Sequence, residues 1–129
     1  MLRCRCDLKT TTRRRLHARV ETVVEIRTFE TADGKVPFDD WFMGIRDGQT
    51  RARIETRIDR LALGNFGNCT SGREGVIELK IDFGPGYRVY FGRDGDTLVI
   101  LLGGGKKDTQ DADLNLARQY WREYNAQEN

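Results

Sequence analysis

Apolar and polar residues alternate nearly one for one through the middle of the 129-residue chain. Ile77, Leu79, Ile81 and Phe83 are separated by Glu78, Lys80 and Asp82, the period of a half-buried strand. Gly84-Pro85-Gly86 predicts a turn, and beyond it Tyr87, Val89 and Phe91 alternate with Arg88 and Tyr90. Asp94-Gly95 predicts a hairpin turn, and the unbroken apolar run 98–102 a central strand. Upstream, the β-branched residues Thr22, Val23, Val24 and Ile26 predict a first strand over 21–29. If the apolar sets of these strands face together, Lys80, Arg88 and Tyr90 share the opposite, concave face of the sheet.

Helical spacing occurs three times. Pro37 followed by Phe38, Trp41, Phe42 and Ile45 predicts a short amphipathic helix, broken at Asp47-Gly48. A second helix is predicted over 50–63, with Ile54, Ile58 and Leu61 as its apolar stripe and Gly64-Asn65 as its stop. Residues 65–75 are polar, contain three glycines and read as a loop. Asp108 or Thr109 can cap a last helix, with Asp111 and Asp113 suiting its positive end. Leu114, Ala117, Trp121 and Tyr124 share one face of that helix, a stripe suited to a core or to a protein partner more than to base stacking. The predicted fold class is α+β. It is a small, twisted, antiparallel-rich sheet of about four strands, with two N-terminal helices packed on it and a C-terminal helix.

Charge changes the picture at one end. Of 22 basic and 20 acidic residues, seven basic and one acidic fall within residues 1–20, giving that segment +6 and the remainder −4. Bulk attraction to nucleic acid therefore resides in the first twenty residues, and any RNA contact of the domain must use local patches. Residues 1–20 read either as a basic arm or as a disordered extension before a domain of 21–129, and the second is expected. No run is long enough to span a membrane. Cys4-x-Cys6 with His17 lacks a fourth ligand or suitable spacing for a metal, so Cys4, Cys6 and Cys69 read as free thiols of a cytoplasmic protein.

Arg53, Arg57 and Arg60 lie within one sector of the second helix, beside its apolar stripe. They suit contact with RNA phosphate or an acidic partner, or equally a solvated helix face with local ion pairs. Lys80 and Arg88 have a similar ambiguity, because cross-strand pairing with Glu78 or Asp82 would also account for them.

The segments ELKIDFGPGYRVYF (78–91) and LLGGGKKDTQDAD (101–113) resemble the small bacterial toxins of the RelE/ParE superfamily, in particular the HigB-like addiction module killer proteins. The resemblance runs in order and spacing over residues 24–124. It implies the toxin of a type II toxin–antitoxin system: a ribosome-dependent mRNA endonuclease, or mRNA interferase, that halts translation. The implied partners are a helix-turn-helix antitoxin, the ribosome and messenger RNA. No metal or other cofactor is implied.

Metal-free RNA cleavage needs a group to take the 2′-hydroxyl proton, positive charge on the phosphorane and an acid for the departing 5′-oxygen. RelE-type toxins use lysine, arginine and tyrosine for this work. By position, the resemblance assigns Lys80 as the base, Arg88 to the phosphate and Lys107 to transition-state charge, with Lys106 replacing Lys107 if the register slips by one. The region 111–113 lacks the tyrosine that RelE has beyond its last basic position, which leaves Tyr90 as the substitute acid. The ParE branch implies an alternative, a non-nuclease toxin that inhibits DNA gyrase. A third possibility is a non-toxic, phage-derived binding module of the same fold.

Overall fold

A computed structural model describes residues 23–128 and contains one five-stranded mixed sheet with three helices. The elements, in order, are β1 (Glu25–Thr28), α1 (Pro37–Met43), α2 (Gly48–Ala62), β2 (Cys69–Ser71), β3 (Val76–Ile81), β4 (Tyr87–Arg93) and β5 (Leu98–Lys106). A 3-10 turn (Lys107–Thr109) then leads into α3 (Gln110–Glu128). The strand order is β1-β5-β4-β3-β2, with β1 parallel to β5 and every other pair antiparallel. The expectations for residues 1–20, including Cys4, Cys6 and His17, lie outside the described residues.

The four-strand expectation is corrected to five. Cys69-Thr70-Ser71 carries no strand-like alternation and was expected to be loop, yet it pairs with Leu79, Glu78 and Ile77 across the outer edge of β3. Backbone groups on a sheet edge seek a partner whatever the side chains are, and three polar residues suffice. The first helix ends at Met43, ahead of the expected break at Asp47-Gly48, and the second begins two residues earlier than the expected 50. The Asp47 carboxylate accepts from the Thr50 N–H at 3.2 Å and from the Thr50 hydroxyl at 2.7 Å, so α2 begins at Gly48.

The sheet is buried on both faces. On one, Phe38 of α1 and Ile54, Ile58 and Leu61 of α2 pack against Leu79, Ile81, Val89, Phe91, Val99 and Leu101. On the other, Ala117, Trp121 and Tyr124 of α3 pack against Val76, Tyr90, Leu98, Ile100 and Leu102. The 98–102 run is continuous because alternate members serve opposite cores. Two glycines let the helices approach: Gly104 lies against the Trp41 ring of α1, and a Cβ on Gly92 would sit 2.5 Å from the Trp121 ring.

Between Tyr90 and Phe91 the pairing with β5 jumps from Gly103 to Leu101, so Leu102 is an extra residue, a β-bulge. The alternation of β5 therefore reverses beyond it. No described helix is long and apolar enough to cross a membrane.

Gly92→Ala is expected to lower the unfolding free energy by about 1–3 kcal/mol, because the methyl group overpacks the Trp121 contact. A fall in the urea midpoint at unchanged slope is the expected readout. An unchanged midpoint would mean that Trp121 is not seated on β4.

Candidate functional site

The register sets Lys80 directly opposite Arg88, and Glu78 opposite Tyr90. Residues directly opposite in an antiparallel pair share a face, so these four stand together on the side covered by α3. Lys80, Arg88 and Tyr90 are thus on one face, but that face is not the open concavity expected of it. Arg88 is 7% exposed and Tyr90 1%.

Burial dictates the chemistry of the cluster. A guanidinium under a helix needs a counter-charge, and Glu78, itself buried, supplies it with Oε1 at 3.5 Å from Arg88 Nε. Gln110, the first residue of α3, donates its side-chain N–H to the same Glu78 oxygen at 3.0 Å. Arg88 is therefore paired with a carboxylate under the helix, although its Nε, like the Tyr90 hydroxyl, has no hydrogen-bond partner. The Tyr90 hydroxyl is buried without a hydrogen-bond partner. Its pKa is raised, by burial first and then by Glu78 and Asp113. Sealed and protonated, Tyr90 does not fill the place of an accessible general acid. Lys80 is half-buried and, among the described residues, makes no ion pair.

The bulge decides the fate of the paired lysines. Lys106 lies opposite Tyr87, whose ring belongs to the core under α1 and α2. Lys106 therefore stands on the face away from Lys80 and Arg88, because one extra residue reversed the parity of β5. Lys107 is exposed in the 3-10 turn, and its N–H donates to the Gly86 carbonyl at 3.0 Å. That bond carries the turn to the end of the sheet where Lys80 and Arg88 pair.

Arg53, Arg57 and Arg60 belong to the α2 side, across the sheet from the Lys80 cluster. The Arg53 guanidinium stacks 4.5 Å from the Phe83 ring centroid. Arg57 and Arg60 line a cleft of about 180 Å³ with Asn65, Gly67, Asn68 and Leu79. A second cleft, of about 410 Å³, lies between α1 and α3 beside Gly103 and Gly104, and no basic side chain lines it. Cys69 is a free thiol whose pKa is raised by burial, against the opposing pull of Arg57. Among the described residues no cluster of His, Cys, Asp and Glu is arranged to hold a metal.

Sequence reasoning missed Gln110, Asn65 and Asn68 as members of these sites. Gln110 had no local signal, since its role depends on where α3 lands. The asparagines did have one: Gly64-Asn65-Phe66-Gly67-Asn68 repeats a Gly-Asn pair around an aromatic ring. Asn68 takes the left-handed φ of 66° that asparagine tolerates better than most residues.

Removing one partner of a buried ion pair strands the other. Glu78→Ala should cost about 3–5 kcal/mol, whereas the apolar double replacement Glu78→Leu with Arg88→Met should be much closer to wild type. Urea unfolding of the set measures this, and a single-variant loss below about 1 kcal/mol would mean that the pair is solvated.

Tyr90→Phe should raise stability at neutral pH by about 1 kcal/mol, because the lost hydroxyl has no partner. In the wild type, the contribution of the raised pKa is intact below the ordinary tyrosine value of about 10 and is lost as pH climbs above it. The advantage of Tyr90→Phe should accordingly grow between pH 9 and pH 11, and a constant difference across that range would contradict the burial of Tyr90.

No family model matches the chain, and no solved structure matches it. Among curated proteins, an uncharacterized protein of Haemophilus influenzae is 47% identical over 81 residues, a stretch covering 63% of this chain and 82% of that protein. At that identity and coverage the two share one domain, and this chain belongs to the family of the Haemophilus influenzae protein.

Proposed function

We propose that this protein is the toxin of a type II toxin–antitoxin pair and acts in the cytoplasm by cutting messenger RNA on the ribosome. The observation that carries the reading is the direct pairing of Lys80 with Arg88 at the end of the sheet beside the 84–86 turn. Like charges directly opposite are destabilising. Glu78 neutralises Arg88, which leaves Lys80 as the cation of that pair without a counter-ion among the described residues. Such an arrangement is easier to understand if an anion completes it. The resemblance to RelE-type toxins over residues 24–124 names that anion as RNA phosphate.

On this reading Lys80 contacts the scissile phosphate, with Lys107 nearby at the turn. The ribose 2′-oxygen attacks phosphorus and loses its proton, while the bond to the 5′-oxygen breaks and that oxygen gains one. A 2′,3′-cyclic phosphate results. Arg88 has a supporting role, holding Glu78 and the strand under Lys80. The helix-turn-helix antitoxin expected from the resemblance would be the inhibitory partner.

A second reading is a toxin that acts by binding, as in the ParE branch. The burial of Arg88 against Glu78 favours it, as does the closeness of Asp111 and Asp113 to Tyr90, which lowers the positive charge of that face.

Induction of the protein alone should arrest growth, and co-expression of its genetic neighbour should restore it. Mapping messenger 5′ ends after induction should reveal cuts inside translated codons. Lys80→Ala should reduce cutting by about 10²–10³, the usual loss when one transition-state contact is removed. Arrest with intact messengers and stalled DNA gyrase would replace the nuclease with the binding toxin. Normal growth with soluble protein would reject both.

A further inference from the structure

The cleft at the C-terminal end of α2 is built from groups that recognise phosphate. Arg57 is half-buried and Arg60 exposed, and among the described residues neither makes an ion pair. Two uncommitted guanidinium groups in one concavity are an anion site in waiting. The loop opposite them is shaped by Gly64 at φ 89° and Asn68 at φ 66°, with the Asn65 side-chain oxygen accepting the Gly67 N–H at 3.0 Å. Its Phe66 is covered by the Arg93 guanidinium, 4.3 Å from the ring centroid. Arg53 on Phe83 and Arg93 on Phe66 are cations held by aromatic faces, and neither lines the cleft.

The position of this cleft links it to Lys80. Asn68, which lines the cleft, accepts the Lys80 N–H on its backbone carbonyl at 3.0 Å. Leu79 lines the same cleft, and the strand alternation then turns Lys80 to the other face. The cleft and Lys80 are therefore neighbours across the edge of the sheet, just before β2 begins at Cys69. A single nucleic-acid strand folded over that edge can touch both, whereas a flat duplex cannot follow the turn.

We propose that the Arg57–Arg60 cleft binds a phosphodiester of single-stranded RNA, anchoring the strand whose neighbouring phosphate reaches Lys80. This rests on the reading of the protein as a toxin that acts on RNA. The second cleft, between α1 and α3, has no basic lining and takes no part.

The test uses the full chain and a fluorescent uridine 12-mer, with affinity measured across a series of salt concentrations. For single strands the slope of log affinity against log salt is about −0.7 per phosphate neutralised. The double variant Arg57→Gln with Arg60→Gln should bind more weakly and have a slope shallower by about 0.7, one phosphate contact. Its thermal unfolding should match wild type, and Arg60→Gln alone, at an exposed position, keeps the test usable if the double variant unfolds. Wild-type binding with an unchanged slope in these variants would overturn the cleft assignment and leave the RNA reading standing. Absence of wild-type binding to the 12-mer would overturn the cleft assignment by itself, and intact messengers after induction would separately remove the RNA reading. Variants that bind RNA normally but no longer bind the antitoxin would assign the cleft to acidic side chains of that partner.

Discussion

Trp121 can seat its ring on β4 only because Gly92 has no side chain, and that contact determines which residues of the sheet are sealed from water. Once α3 is laid down through Trp121, Tyr124 and Ala117, everything polar beneath its first turns must find a partner inside the protein. Glu78 and Arg88 form an ion pair that leaves Arg88 Nε without a hydrogen bond, and Gln110 bonds Glu78 from above. Tyr90 contributes its ring to the core and leaves its hydroxyl unmatched. Lys80, two residues beyond Glu78 on β3, keeps partial access to solvent. The difference between a structural arginine and a candidate functional lysine is thus set by the reach of one helix.

A buried ion pair of this kind adds little net stability over an apolar core of equal shape, since desolvation offsets most of the attraction. Its value lies in registry. With β3 or β4 shifted by one residue, Glu78 and Arg88 would part and each would face an apolar layer. The pair and the Gln110 bond also tie the start of α3 to the sheet at the end opposite Trp121. Arg118 and Arg122 add contacts with Glu74 at 3.6 and 2.7 Å on the helix flank. The helix is fixed along its length by unlike interactions.

Much of this was legible in the sequence. The alternation over 77–91 gave the strands and their shared face, since a period of two admits only two faces. The spacing of Leu114, Ala117, Trp121 and Tyr124 identified the buried side of α3. Three things escaped, each for a physical reason. The strand at Cys69 is defined by the edge it covers and not by its own side chains. The burial of Arg88 follows from where a distant helix lands, which no local pattern encodes. The separation of Lys106 from Lys80 follows from a bulge, and a run of glycines carries no alternation from which to read one.

That bulge gives the paired lysine a property that neither residue has alone. Residues before Leu102 and after Gly103 obey opposite parity, so the two faces of β5 exchange places along one strand. Adjacent lysines at the end of such a strand are addressed to different sides of the molecule, Lys106 towards the α1–α2 layer and Lys107 into the turn beside Gly86. Loss of one glycine from the 103–105 run, with Leu101 still opposite Phe91 and Lys106 still opposite Tyr87, would remove the extra residue and restore a single parity while both lysines kept their sides. Sequence alignments that count lysines in this family without counting the glycines before them would equate residues that stand on opposite sides of the sheet.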